Sequence, residues 1–496
     1  MELSKLQNGS DVRGVALAGV DGESVTLDAA AVRAIGGGFV RWLREKTEKT
    51  PLRVAVGRDS RLSGAAIAEA LGETLAACGI AVTDLGLCTT PAMFMTTVTG
   101  EAPFDAAVMI TASHLPWNRN GLKFFTAAGG TESADVREIL RLAVESAPLA
   151  PGGSVQSGEF LETYAALLRG KIIAAANGCE KPLAGKRIVV DAGNGAGGFF
   201  AEKVLAPLGA DTTGSRYLDP DGRFPNHVPN PELPEAMDSI RAAVLESHAD
   251  FGIIFDTDVD RAGAVLADGE ELNRNRLIAL ISAILLREHP GTAIVTDSVT
   301  SAGLAEFIAA HGGVHRRFRR GYRNVINEAL RLNAEGRDCQ LAIETSGHAA
   351  LKENYFLDDG AYLVTRFLME IAAGRSLEGL LAGLREPAES REFRLKITDG
   401  DFRAAGQAVL DALALYAAEQ PGWSIAPDNC EGVRVNLDRA HGSGWFLLRL
   451  SLHDPILPLN IESDSPRGAR AIARQLAPFL AQQTGIDAEA VLEFAL

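Results

Sequence analysis

A chain of 496 residues is too long for one core and, at roughly 100–200 residues per domain, suggests three or four domains. Hydrophobic residues make up 47% and charged residues 23%, which excludes a disordered or fibrous chain. With 48 basic against 64 acidic residues, the net charge of −16 argues against a nucleic-acid or anionic-membrane binder. An anion can still bind where Arg and Lys gather locally.

The N-terminal MELSKLQNGSDVRG has no apolar signal-peptide core. Five scattered cysteines without a CxxC pair argue against a disulfide framework or a zinc site. A cytoplasmic protein with no membrane span is expected. A strand at Val54–Val56 leads through a polar turn into a long Ala/Leu helix ending at Gly79. Two further strand–turn–helix units begin at Lys186 and Thr292, and each also ends on glycine, where a left-handed cap is expected. Such repetition predicts α/β domains with largely parallel sheets. Boundaries are expected around Pro148–Gly153 and Gly374–Ser390.

The apolar run Ala106–Ile110 predicts a strand with Ser113 on the loop past its end, where open α/β sheets bind ligands. His114 beside it and Lys123 in the same loop suit a nucleophile or phosphate carrier, and a hydrogen-bonded turn is the alternative. The segment Gly193–Gly198 fits GxGxxG, but Asp191 at its mouth opposes a pyrophosphate, so a tight turn is expected. The strand from Phe251 runs into Asp256, Asp258 and Asp260, whose spacing puts three carboxylates on one side of an extended chain. Their repulsion calls for a hard cation such as Mg²⁺, with a solvated acidic loop as the alternative. The loop is no EF-hand, since Arg261 and Ala267 stand where Gly and Glu belong.

The run Leu277–Leu286 is half a membrane span and reads as a buried helix. The basic segment His315–Arg323, with Arg319 at its centre, suggests a small phosphate-binding wall. Glu344 and Ser346 alternate and can face one pocket to bind sugar hydroxyls, with His348 to move a proton; a polar strand end is equally open. Asp358 and Asp359 fit a turn or helix cap. In the last hundred residues, alternation at Phe393–Ile397 and Val433–Leu437, strands at Trp445–Leu450 and Ile456–Ile461 and a helix from about Arg467 predict a small α+β domain. There Arg449, Ser451 and His453 share a strand face that can bind phosphate or form a structural turn.

Together these segments resemble the α-D-phosphohexomutase family. TASHLPWNRNGLKFF is similar to its phosphoserine loop, FDTDVDR to its metal loop, and ETSGH, continuing to LDDGAY, to its sugar loop. RLSLHDP resembles its phosphate loop in divergent form, and SDVRG, VGRDSR, CTTPA and FPNHVPNPELPE are further family-like pieces in the right order. The resemblance covers nearly the whole chain. It implies three similar α/β domains with mixed, mostly parallel sheets at 1–158, 159–262 and 263–385, an α+β domain at 386–496, and an active site in a central cleft.

It also implies that Ser113 carries phosphate and holds Mg²⁺ together with Asp256, Asp258 and Asp260. Arg13, His114, Lys123 and Arg261 would surround the phosphoryl group. Glu344 and Ser346 would bind sugar hydroxyls, His348 would be a candidate for proton transfer, and Arg449, Ser451 and His453 would hold the non-reacting phosphate, with Arg319 of the basic wall as a further substrate-binding candidate. The implied reaction interconverts hexose 1- and 6-phosphates of mannose and glucose through a hexose 1,6-bisphosphate, in a monomer or homodimer. A phosphoglucosamine mutase and a non-catalytic sugar-phosphate binder are the alternatives. A haloacid-dehalogenase-type phosphatase would explain only the acidic loop. Ile343 in place of Gly before Glu344, and Leu452 and His453 in the phosphate loop, depart from the family pattern and bear on substrate range.

Overall fold

The protein's structure is a computed structural model that describes residues 2–145, 147–398, 400–451 and 454–496. It forms two compact units, Met1–Leu277 with Ser346–Gly379, and Ile278–Thr345 with Leu380–Leu496.

The first sheet of the first unit is built around strand Arg53–Arg58. It pairs in parallel with Ala81–Leu87 on one side and with Ala106–Ile110 on the other. Strand Arg119–Thr126 then runs antiparallel to Ala106–Ile110 and pairs with Asp11–Val15. Ala106–Ile110 is buried along its whole length, as its unbroken apolar run requires. Helices Ala29–Lys46 and Ser133–Leu142 cover the sheet. Phe39 and Phe124 stack beneath them with ring centroids 4.8 Å apart, and burying such a side chain stabilises by about 1.5–3 kcal/mol.

The second sheet is smaller. Ile188–Asp191 is parallel to Phe251–Phe255, which is antiparallel to Ala262–Leu266. The expected long helix after Gly198 is instead a wide π-helical turn at Phe200–Leu205. The glycines of that turn serve backbone approach rather than a pyrophosphate: a Cβ on Gly195 would lie 2.7 Å from the Thr257 carbonyl oxygen. Asp191 fills the turn from within, its Oδ1 accepting from Gly193 N at 2.9 Å. Helices Leu161–Ala175 and Gly360–Ala372 pack on one another within this unit.

In the second unit, Ala293–Thr296 lies between Val314–Arg317 and Cys339–Ile343, all parallel. Helix Arg274–Glu288 buries every residue from Leu277 to Leu286. The C-terminal part is an antiparallel sheet in which Glu389–Ile397 pairs with Ile456–Ser463, followed by Gly444–Leu448, Val433–Leu437 and Trp423–Ile425. Helix Gly468–Leu480 starts close to its predicted place, whereas helix Phe402–Glu419 goes beyond the sequence reading. The chain thus consists of three α/β domains and a C-terminal antiparallel-sheet domain. Among the described residues no helix is long and apolar enough to cross a membrane.

Candidate active site

Ser113 sits just past strand Ala106–Ile110, as its sequence position predicts, and adopts a left-handed φ of +52°. A non-glycine residue there needs support from its surroundings, and the support comes from the VGRDSR segment. Arg61, fully buried, donates to the carbonyl oxygens of Ser113 and of Leu115, Pro116 and Arg119 (the last three at 2.6, 2.7 and 2.9 Å). Asp59 accepts from Thr111 Oγ1 at 2.7 Å, and Thr111 Oγ1 accepts from Ser113 N at 2.9 Å. Burial raises the Asp59 carboxyl to about 6, against the pull of Arg61. Arg61→Lys keeps the charge but loses the planar fork. It is expected to destabilise the protein by roughly 2–4 kcal/mol and to slow turnover, measured by urea unfolding and steady-state kinetics.

The Ser113 hydroxyl donates to Asp256 Oδ2 at 3.0 Å and lies 3.4 Å from Arg261 Nη2. His114 Nδ1 is 3.3 Å from Ser113 Oγ but already accepts from Arg261 Nη2 at 2.8 Å. That bond leaves the His114 proton on Nε2. The Arg261 charge, together with burial and Arg13, lowers His114 to about 2. His114 is therefore a neutral donor rather than the base beside Ser113 that adjacency suggests. Lys123 is not in the serine loop either: it lies on strand Arg119–Thr126 opposite Met109. From there its Nζ reaches Asp258 Oδ2 at 3.1 Å and also Asp260 Oδ2. Arg13 pairs with Asp11 at 2.9 Å from the neighbouring strand.

Asp256, Asp258 and Asp260 do converge, with one oxygen of each within 4.8 Å of the others. They do so on a turn, not on an extended chain. Val259 takes φ +68°, rare for a β-branched residue, and folds the loop back. Burial and the charges of Asp260 and Asp258 push Asp256 well above the usual carboxylate range. Asp260 is also penalised by burial, but Lys123 and His348 hold it well below that range. Among the described residues, Asp258 Oδ1 and Asp260 Oδ1 are buried and accept no hydrogen bond. Asp260 Oδ1 faces His348 Nε2 at 3.6 Å, so Asp258 Oδ1 is the oxygen left for a ligand, and three converging carboxylates suit a hard divalent cation. Thr90, from the CTTPA turn, supports the loop: its N donates to the Asp258 carbonyl at 2.9 Å and its hydroxyl to Asp258 Oδ2.

Ser346 and His348 belong to the same unit. His348 Nδ1 is 3.0 Å from Ser346 Oγ, and Nε2 lies 3.1 Å from Arg261 Nε, 3.5 Å from Asp358 and 3.6 Å from Asp260. Burial lowers His348, but Asp358 and Asp260 outweigh burial and the Arg261 charge and raise it to about 10. An imidazolium cannot accept from Arg261 Nε, so the 3.1 Å approach belongs to the neutral ring and the two carboxylates favour the charged one. Gly347 links the loops at φ +93°, where a Cβ would lie 2.6 Å from the Ala262 carbonyl oxygen. Asp359 caps helix Gly360–Ala372 by accepting from Tyr362 N at 2.8 Å.

In the second unit Glu344 Oε1 accepts from Gly321 N at 2.7 Å. Arg319 is exposed and lies over the Phe318 ring, 5.4 Å from its centroid. Its neighbour Arg320 turns inward instead, with Nε 3.4 Å from Asp297 and its backbone N donating to Glu431 at 3.0 Å. Arg449 Nε lies 3.6 Å from Glu431 Oε1, and Ser451 Oγ accepts from Asp454 N at 3.2 Å. Leu452 and His453 lie outside the described residues.

A buried serine hydroxyl beside a carboxylate triad that could hold a cation, with Arg and Lys around it, has the chemistry that phosphoryl transfer requires. The chain matches the models of phosphoglucomutase/phosphomannomutase α/β/α domains I, II and III over residues 4–148, 171–269 and 273–387. It is 33% identical to a phosphomannomutase/phosphoglucomutase of Pseudomonas putida, covering 83% of this chain and 84% of the relative. It is 31% identical to a phosphoglucomutase of Neisseria gonorrhoeae over 92% of each. A solved structure of a phosphoglucomutase/phosphomannomutase family protein from Burkholderia thailandensis superposes with a TM-score of 0.80 at 27% identity, covering 98% of this chain and 99% of that one. The chain belongs to the phosphoglucomutase/phosphomannomutase family, the α-D-phosphohexomutases.

Proposed function

We propose that this protein interconverts the 1- and 6-phosphates of mannose and glucose, with Ser113 carrying the phosphoryl group and a hexose 1,6-bisphosphate as intermediate. The observation that carries this reading is the Ser113 hydroxyl, 3.0 Å from Asp256 within the carboxylate triad and 3.4 Å from Arg261. Mg²⁺, held by Asp256, Asp258, Asp260 and an oxygen of the phosphoserine, would supply charge neutralisation of the transferring group.

This chain's residues do the rest. Arg261 and Lys123 face the phosphoryl oxygens, and neutral His114 offers its Nε2–H. A sugar hydroxyl attacks the phosphorus as the bond to Ser113 Oγ breaks; a base takes the hydroxyl proton and Ser113 Oγ leaves protonated, with His348, which Asp358 and Asp260 hold in its charged form, as the candidate for moving the proton. The bisphosphate then returns its other phosphoryl group to Ser113, so the enzyme ends as it began. Glu344 and Ser346 bind the 3- and 4-hydroxyls, and Arg449, Ser451 and His453 take the non-reacting phosphate. The protein would work in the cytoplasm as a monomer or homodimer.

A panel of mannose, glucose, glucosamine and N-acetylglucosamine 1-phosphates, each primed with the matching bisphosphate, tests the substrate. Mannose and glucose phosphates should both turn over, since they differ only at C2. Glu344→Ala should lower kcat/KM for both by a similar factor, roughly tenfold to hundredfold, because the hydroxyls it would bind are common to both. A hundredfold preference for glucosamine phosphate would make the protein a phosphoglucosamine mutase.

A further inference from the structure

Arg261 commits each nitrogen of its guanidinium to a partner in the first unit. Nε faces His348, and Nη2 faces His114 and Ser113 Oγ. Nη1 points the other way, 3.5 Å from Asn230 Oδ1 and 3.3 Å from Glu232 Oε2. Both acceptors lie in the segment FPNHVPNPELPE, to which the reaction described above gives no role.

That segment is firmly seated. His227 Nε2 lies 3.0 Å from the buried Asp191, and Asp191 also accepts from Ser239 Oγ at 2.6 Å. Asn226 donates to Asn194 at 2.8 Å, and Asn273 donates to the Pro231 carbonyl at 3.0 Å. Asn230 Oδ1 accepts from Glu232 N at 3.1 Å, which fixes the two acceptors relative to one another. At the start of the segment, Phe224 lies under Arg61, 5.2 Å from ring centroid to guanidinium carbon. One segment therefore touches both arginines that handle Ser113, the one that grips its backbone and the one that reaches its hydroxyl.

The electrostatics give Glu232 a specific task. Arg261 is buried beside the metal-binding carboxylates, with Asp256 Oδ2 3.8 Å from its Nε. Attraction to Asp256 alone would draw the guanidinium down onto the triad, where the cation belongs. Glu232, partly exposed at the opposite edge, pulls from the other side. A guanidinium is a rigid plane, so holding Nη1 also orients Nη2.

We propose that Glu232 is a positioning residue for phosphoryl transfer, holding Arg261, with Asn230, so that Nη2 faces the group on Ser113. The inference rests on the phosphoserine reading. Displacing a charge-stabilising group by about an ångström costs on the order of a hundredfold in rate. In the full-length enzyme assayed with Mg²⁺, glucose 1-phosphate and glucose 1,6-bisphosphate, Glu232→Ala should lower kcat by roughly tenfold to hundredfold. KM should stay within about threefold, because the contact acts on the transferring group. Glu232→Gln keeps an oxygen acceptor for Nη1 but loses the charge that pulls against Asp256, and should recover only part of the lost kcat. In an Arg261→Ala background, Glu232→Ala should add less than about twofold, since its target is gone.

A folded Glu232→Ala protein, checked by circular dichroism and melting, with wild-type kcat would overturn the proposal. So would a full additional loss in the Arg261→Ala background. Should the alanine variant not fold, Glu232→Asp makes the same test: it falls a methylene short of Nη1, and wild-type kcat there is equally fatal. Mutase turnover in the wild type with no effect at Glu232 removes this inference alone, and no turnover in the wild type removes both readings.

Discussion

Ser113→Ala is expected to lower mutase turnover by ~10⁴-fold or more while leaving a folded protein that still binds Mg²⁺. The loss is large because the hydroxyl oxygen is itself the atom that carries the phosphoryl group. The fold survives because what shapes the loop does not use that oxygen. Arg61 grips carbonyl oxygens, and Thr111 accepts from the Ser113 backbone N–H. Alanine at φ +52° is no more strained than serine, since both carry a Cβ. The hydroxyl's own contacts are with Asp256, His114 and Arg261, groups that have other partners. Intact-mass and peptide mass spectrometry on active wild-type protein should place a phosphoryl group on Ser113. Finding it only on an aspartate would replace the mutase reading with that of a phosphatase.

The parts of this site legible in the sequence are those whose residues are neighbours in the chain. An apolar strand ending in Ser113 and another ending in Asp256 announce themselves, because burial shows as an unbroken hydrophobic run and chemistry follows at its end. The way the carboxylates converge was not legible: it depends on the left-handed turn at Val259, and no propensity favours a β-branched residue there. The arginine cluster at His315–Arg323 showed positive charge but not which side chain turns inward. In the fold Arg319 is exposed while Arg320 lies 3.4 Å from Asp297, next to Gly321, whose φ is +111° and whose N–H donates to Glu344. Thr90, Arg61, Asn230 and Glu232 lie in segments that carry a family likeness but no chemistry of their own in the sequence. Their roles come from chain separations of 29 to 168 residues that only the fold closes. The π-helical turn at Phe200–Leu205 is invisible in the sequence for a related reason, since apolar spacing cannot separate one wide turn from the start of an α-helix.

Asp258→Asn should weaken Mg²⁺ binding and slow turnover by orders of magnitude, and it separates a metal role from a structural one. Asp258 is wholly buried; its Oδ2 accepts from Thr90 and Lys123, while its Oδ1 accepts no hydrogen bond from the described residues. Asparagine keeps the size and one oxygen but removes a negative charge from the triad. Without Mg²⁺ the variant gains from reduced repulsion with Asp256 and Asp260 and loses part of its attraction to Lys123. These changes oppose one another, so the metal-free melting temperature should move little. With Mg²⁺ the two proteins should diverge. A ligand that binds only the folded state stabilises it by RT ln(1 + [L]/Kd), about 2.7 kcal/mol at a hundred times Kd. The wild type should therefore gain melting temperature as Mg²⁺ is added, and Asp258→Asn should gain much less at the same concentration. Calorimetric titration and steady-state rates in EDTA-stripped protein complete the test. Full activity of verified metal-free enzyme, or equal Mg²⁺ stabilisation of both proteins, would remove the triad from catalysis.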